Sequence, residues 1–421
     1  MKISRSSALV VLIAVLAAGA LSGAGIAVKR LTAPPAQLTA TVHAPVVVTL
    51  AAPPAPPISL PAAGSLALAQ FGGPLLAQRD AGRVRPTGSV AKTMTALVTL
   101  HVHPLVPGAP GPVLTMTEAD VSLYRQAIAE QGSAVAVEAG ERLTERQLLL
   151  ALLLPSANNI AETLARWVAG SDGAFDDMLN ATARSLDMPD TQFADPSGYS
   201  PETVSTAADL VRLGEAALAN PALADLVSTR SATLPDGTQL QNLDILLGTA
   251  GPHWLGIKTG WTPQAGGCLL FAAVQAVGAG GLPVTLVGAV LGQPAVAGIA
   301  PGHPELGGAF QAAKQAATTA FAGYATVDLT SVLTGVTGSV TAPWGAHTGL
   351  LAQHLSRIAL VRGSLTLQLA VSTVHLAAPI AAGTTAAVVS ASAAAVPSIT
   401  WRLVTTMPVP GPSWTWRLFG S

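Results

Sequence analysis

Two serines, two lysines, an asparagine and a threonine fall in three short runs: Ser89-Val90-Ala91-Lys92, Ser156-Ala157-Asn158 and Lys258-Thr259-Gly260. These residue types suit acyl transfer. A serine hydroxyl is a weak nucleophile at its free pKa and needs a base within hydrogen-bond reach; a lysine serves once burial or a neighbouring cation lowers its own pKa. Positions i and i+3 share a helix face, so Ser89 at a helix start and Lys92 one turn later bring the amine beside the hydroxyl. The helix N-terminus adds a favourable dipole and free backbone N–H groups for an oxyanion. Ser156 and Asn158 suit passing a proton and holding a substrate backbone from a corner in the chain. Lys258 and Thr259 suit binding a carboxylate by charge and hydroxyl, on a strand edge able to pair with an extended peptide. The expected substrate therefore carries a free C-terminal carboxylate.

The flanking sequence supplies elements to hold these groups. Pro86-Thr87-Gly88 breaks any preceding structure, and Ala91 to Leu100 then reads as a helix with Met94, Leu97 and Val98 on one side. The apolar run Leu148 to Leu154 stops at Pro155 and resumes at Ile160 to Leu164, which predicts two buried helices joined by a short corner at Ser156. Gly256, Gly260, Gly266 and Gly267 punctuate the apolar stretch to Ala273 as in a strand, turn and strand. Each run alone is a weak signal; all three, in this order and context, are a strong one.

Over roughly residues 60 to 325 the chain resembles the serine D-alanyl-D-alanine carboxypeptidases, the low-molecular-mass penicillin-binding proteins. The matching stretches are Gly88 to Ala96, Gly140 to Asn159, Phe193-Ala-Asp-Pro-Ser-Gly198, Asn242 to Leu247 and Gly256 to Cys268. The resemblance implies an α/β (α+β) penicillin-binding, β-lactamase-like transpeptidase fold, with a mainly antiparallel sheet flanked by helices. It also implies Ser89 as the acylated nucleophile, Lys92 as its base, and Ser156 with Lys258 as a proton relay. Asn158 would bind the substrate amide and Thr259 the carboxylate, with Lys258, Gly260 and Trp261 also on the substrate-binding side, and the backbone N–H groups of Ser89 and Trp261 would form the oxyanion hole. The implied substrate is the D-Ala-D-Ala end of the peptidoglycan pentapeptide stem, with β-lactams as inhibitors acylating the same serine, and no cofactor or metal is called for.

The chain departs from the family pattern at Asn159, where an acidic residue is usual, and at Trp261, where histidine or threonine is more frequent. No arginine occurs between Arg230 and Arg357, whereas many relatives carry one near the segment matching Leu291-Gly292-Gln293. Two other readings are a serine β-lactamase and a non-catalytic wall-binding protein on the same fold. No Glu-x-x-Leu-Asn run of the class A type lies between Asn158 and Lys258, and Ala157 stands where that class has aspartate. The intact Ser89, Lys92, Ser156 and Lys258 argue against a pseudo-enzyme.

The remaining candidates read as structural. His101 and His103 have metal-ligand spacing but no acidic or cysteine partner nearby, and fit a helix end. Asp195 reads as a turn former, and Glu138, Glu141 and Glu145 as a solvated helix start. Cys268, the single cysteine, reads as a packed, inert thiol.

The ends of the chain set the compartment. Lys2 and Arg5 precede an uncharged stretch, Ser6 to Val28, closed by Lys29-Arg30, so residues 1–30 read as a signal peptide or membrane anchor. The bulk of the chain is then expected outside the cytoplasmic membrane, associated with it or secreted to the cell wall. Residues 31–61, with their Pro-Pro pairs, read as a semi-rigid spacer. Residues 62–324 read as the catalytic domain and 325–421 as a small β-rich domain, with strands at Ser356–Val361, Leu365–Leu369 and Ser398–Val404. Trp414-Thr-Trp-Arg-Leu-Phe419 suits either a lipid interface or packing. A formal net charge of −1 and 10% charged residues give no sign of nucleic-acid binding.

Overall fold

A computed structural model describes residues 5–278, 280–353, 358–393 and 396–420. The chain forms two compact units: Pro54–Ala325, and a second that joins Met1–Pro53 to Thr326–Ser421.

The first unit is built on a five-stranded antiparallel sheet. Its strands are β1 (Ser65–Gln70), β2 (Leu75–Arg79), β3 (His253–Thr262), β4 (Gly266–Val277) and β5 (Leu282–Gln293), in the order β3-β4-β5-β1-β2. β3 is therefore an edge strand, and the register pairs Lys258 with Leu270 and Gly260 with Cys268. The helices are α1 (Lys92–Val102), α2 (Glu118–Ala129), α3 (Glu145–Leu153), α4 (Asn158–Ala169), α5 (Asp172–Ser185), α6 (Ala207–Ala219), α7 (Pro221–Val227) and α8 (Gly307–Phe321). The apolar run at Leu148–Leu154 is buried throughout, because α3 is enclosed by its neighbours rather than half-solvated. Thr144 caps α3 by accepting from the Gln147 N–H, and Gln147 returns the bond to the Thr144 N–H, a reciprocal capping box. α6 lies close on the sheet at Gly214, where a Cβ would stand 2.7 Å from the Val287 methyl.

The second unit is built on an eight-stranded antiparallel sheet. Its strand order is 376–377, 37–43, 337–341, 347–352, 396–405, 385–393, 365–373 and 47–50. Leu367, Val389, Trp401 and Leu403 fill one core, and Leu38, Val340, Leu376 and Val409 a second. The N-terminal helix, Arg5–Leu31, and the C-terminal helix, Trp414–Phe419, belong to this unit.

Two expectations are corrected. The stretch 31–61 contains strands Gln37–His43 and Val47–Leu50, paired to Thr337–Thr341 and Leu365–Gln368. Alternating β-branched residues in Leu-Thr-Ala-Thr-Val and Val-Val-Thr-Leu supply a strand signal that the prolines on either side obscure. Glu145 is fully buried, not solvated, since α3 begins beneath the chain leading into it: a Cβ at Gly111 would stand 2.8 Å from its Oε2. Lys2, Ser356 and Arg357 lie outside the described residues.

Candidate active site

Ser89 sits in a 3₁₀ turn, Gly88–Ala91, that runs directly into α1 at Lys92. The Lys92 side chain is wholly buried. Its Nζ lies 2.7 Å from Ser89 Oγ and donates to Asn158 Oδ1 at 2.7 Å and to the Ser197 carbonyl at 2.8 Å. An ammonium has three protons, so these partners account for all of them. Burial pulls the Lys92 pKa down to about 7, against the opposing pull of the Asp195 and Glu162 charges. The amine is thus poised to change protonation near neutrality, and once neutral its lone pair faces the Ser89 hydroxyl.

The corner between α3 and α4 carries the second pair. Asn158 opens α4, its N–H bonded to the Ser133 carbonyl at 2.7 Å. Ser156 is buried in the left-handed region, φ 68°, and its Oγ has no hydrogen-bond partner among the described residues. A non-glycine residue held there costs on the order of 1 kcal/mol or more and persists where the surroundings enforce it, as at reactive sites.

Lys258, Thr259 and Gly260 lie on the edge strand β3. Lys258 and Thr259 are buried, and Lys258 Nζ donates to the Thr259 carbonyl at 3.1 Å and hydroxyl at 3.4 Å. Burial, and then the nearby Lys92 charge, hold the Lys258 pKa well below its usual value, opposed by Asp244. The two amines therefore share one electrostatic environment.

Glycines bring β3 against the serine turn. A Cβ on Gly260 would stand 2.7 Å from the Thr87 carbonyl and 3.1 Å from the Ser89 nitrogen. One on Gly88, at φ 53°, would stand 2.9 Å from the Trp261 nitrogen. The backbone of β3 at Gly260-Trp261 thus lies directly against the serine turn at Gly88-Ser89. The Trp261 side chain is 45% exposed.

The Ser197 carbonyl, Asp244 and Arg85 escaped the sequence reading, whereas the Asp195 turn did not. Asp195 does form a turn, accepting from Ser197 N and Oγ and from Tyr199 N, and this turn aims the Ser197 carbonyl at Lys92. Asp244, buried beside Lys258, has its pKa raised to about 6 by burial. Only the fold brings these groups to the lysines, although the Asn-x-Asp turn signature at 242–244 was visible. Asn159 pairs with Val135 through both amide ends, donating at 2.8 Å and accepting at 3.1 Å, which a carboxylate cannot do. The Arg85 guanidinium lies against Gly292 and donates to Ser65 Oγ at 3.0 Å. A cavity of about 330 Å³ opens beside Asn158 and Ser197, lined also by Glu130, Glu162 and Tyr199.

His103 stacks on Trp167, ring centroids 3.9 Å apart, at the end of α1 that His101 also occupies. Cys268 is buried and its pKa is raised to about 12 by burial, which keeps the thiol protonated and unreactive.

A family profile described as D-alanyl-D-alanine carboxypeptidase, Peptidase_S11, matches residues 51–291, more than half of the chain. The chain belongs to that family. Among relatives of this carboxypeptidase-family chain, the D-alanyl-D-alanine endopeptidase of Pseudomonas aeruginosa is 32% identical over 204 residues, 47% of this chain and 62% of the relative. The D-alanyl-D-alanine carboxypeptidase DacB2 of Mycobacterium tuberculosis is 36% identical over 209 residues, 48% and 67% respectively. The crystal structure of the Streptomyces K15 DD-transpeptidase superposes with a TM-score of 0.53 at 26% identity, covering 64% of this chain and 99% of that one. The chain spans about three-fifths of the length of the first curated relatives it matches. The fold is that of the penicillin-binding DD-peptidases, as the sequence implied.

Proposed function

We propose that this protein is a serine-type D-Ala-D-Ala carboxypeptidase that trims the terminal D-alanine from peptidoglycan pentapeptide stems outside the cytoplasmic membrane. The observation that carries the reading is the 2.7 Å approach of a wholly buried Lys92 amine, with a pKa lowered to about 7, to Ser89 Oγ. The neutral Lys92 amine takes the Ser89 proton as Oγ attacks the carbonyl carbon of the penultimate D-alanine. The oxyanion is held by the Ser89 and Trp261 N–H groups. On collapse the peptide C–N bond breaks and the departing D-alanine nitrogen takes a proton from Ser156 Oγ, which is resupplied through Lys258 with the proton that Lys92 took from Ser89, so both amines end the step as they began it. Water then hydrolyses the Ser89 ester and regenerates the hydroxyl. Asn158 holds the substrate amide, and Thr259 beside Lys258 receives the terminal carboxylate. β-Lactams are expected to acylate the same serine and to remain as stable adducts.

The test incubates the full chain in detergent with a penicillin and, separately, with a peptide ending in D-Ala-D-Ala, followed by intact-mass measurement and D-alanine assay, with Ser89→Ala alongside. A lasting adduct that the variant lacks, together with D-alanine release, supports the reading. Fast penicillin turnover without peptide cleavage would indicate a β-lactamase, and absence of both a wall-binding protein. Cleavage of cross-linked dimers in preference to pentapeptides would make the protein an endopeptidase.

A further inference from the structure

Charge is distributed unevenly between the two units. Residues 1–53 and 326–421 contain eight Lys and Arg against a single carboxylate, Asp328, whereas residues 54–325 contain thirteen against twenty-one. The near-zero net charge of the chain thus conceals a β unit of formal charge +7 and a catalytic unit of −8.

Three of those cations gather where the chain ends meet. The N-terminal helix offers a 20-residue apolar span, Leu12–Leu31, of mean hydropathy 1.9 and with none of it buried, which ends in Lys29-Arg30-Leu31. The Arg417 guanidinium of the C-terminal helix donates to the carbonyls of Leu31 at 2.8 Å and Ala33 at 3.4 Å, capping the N-terminal helix. Reciprocally, Arg30 donates to the Leu418 carbonyl at the end of the C-terminal helix. Trp416 is fixed by edge-to-face packing on Trp344, with centroids 5.4 Å apart. Between the two helix ends lies a cavity of about 270 Å³, lined by Arg30, Pro34, Pro412, Trp416, Arg417 and Phe419. Phe419, which lines it, is 71% exposed, and Trp414, at the start of the same short helix, 65%.

We propose that this cavity is a headgroup site for an anionic phospholipid, seating the β unit on the bilayer that the N-terminal helix enters. A guanidinium offers five N–H donors in a planar fork, and the carbonyl caps occupy only one nitrogen of each arginine, leaving a bidentate face for a phosphate. The exposed Trp414 and Phe419 of the C-terminal helix suit the boundary of headgroups and acyl chains, where an aromatic ring keeps one side apolar. Continuity with the apolar span and the excess of positive charge favour a lipid surface over a soluble partner.

The test places the full chain in lipid nanodiscs whose acyl chains are brominated near the glycerol end, and follows quenching of tryptophan fluorescence as phosphatidylglycerol replaces phosphatidylcholine. The expected result is quenching that grows with phosphatidylglycerol, is reduced in Trp414→Phe and weakens with salt. In Arg30→Gln/Arg417→Gln, attraction to the anionic bilayer should weaken about 25-fold, each lost cation contributing roughly fivefold, so that half-quenching moves to a higher phosphatidylglycerol content. Penicillin acylation, expected to be equal in all variants, reports that the catalytic unit is folded, and Arg30→Lys/Arg417→Lys, which preserves the charge but not the planar fork, should fall between the unmodified protein and the Gln pair. Quenching that is absent, or equal in both lipids, overturns the proposal. So does its abolition by soluble poly(glycerol phosphate) at matched phosphate, which would make the surface a wall-polymer site.

Discussion

Lys92, Lys258, Glu145, Asp209 and Asp244 are buried in the unit spanning Pro54–Ala325, whereas among the described residues of the β unit no Lys, Arg, Asp or Glu is buried. The two regions use charge in opposite ways. In the first, desolvation moves a lysine pKa from 10.5 to about 7 and turns a surface-type cation into a base. In the second, charges stay in water, where their effect is long-ranged, additive and screened by salt. The proposed chemistry thus draws on the region that hides charge, and the proposed attachment on the one that displays it.

The largest effect should come from removing the nucleophile. Ser89→Ala is expected to lower D-alanine release by about 10⁴-fold or more and to abolish the penicillin adduct, with stability unchanged to within about 0.5 kcal/mol. Next comes Lys92→Met, expected to slow acylation by roughly 10²–10⁴-fold. In the unmodified protein the acylation rate should rise with pH through about 7 as the Lys92 amine loses its proton. A flat rate profile between pH 5 and 9 would remove Lys92 from the role of base.

The comparison can also be drawn through packing. Leu149→Ala in the catalytic unit should cost about 2–5 kcal/mol and reduce the fraction able to form a penicillin adduct on warming. Leu367→Ala, at an equally buried position in the β unit, should cost a similar amount yet leave acylation of Ser89 intact. If Leu367→Ala also removes penicillin binding, the two units do not fold as separate bodies.

How far the sequence reveals this arrangement differs between the regions for the same reason. The three motifs were legible because catalysis demands particular residue types at helix and strand spacing, and the corner at Ser156 was legible because Pro155 interrupts an apolar run. The Ser197 carbonyl was invisible, since a backbone acceptor carries no side-chain signature, and so was the approach of Asp244 to Lys258 across more than a dozen residues. Strands 37–43 and 47–50 were hidden by flanking prolines, and their partners lie some 300 residues away, beyond any local pattern. Glu145 misled because an acidic residue in a first turn is ordinarily solvated; its burial depends on the Gly111 chain covering it.

Glu145 provides the finest test of what hidden charge does. Both of its carboxylate oxygens are buried without a hydrogen-bond partner among the described residues, and burial raises its pKa from 4.5 to about 7. The folded state therefore binds more protons than the unfolded state between those values, so this group makes stability fall as pH rises across that window. Lys92 acts with the opposite sign in a different window. Its folded pKa lies below its unfolded one, so the unfolded state binds more protons between about 7 and 10.5, and stability rises with pH there. Glu145→Gln should consequently flatten the dependence of Tm on pH only below about 7, and Lys92→Met only above it. Arg402→Gln, exposed in the β unit, should change neither limb. Melting curves of the three variants from pH 4.5 to 10 separate these outcomes, and a Glu145→Gln profile that parallels the unmodified protein below pH 7 would mean that water reaches the carboxylate.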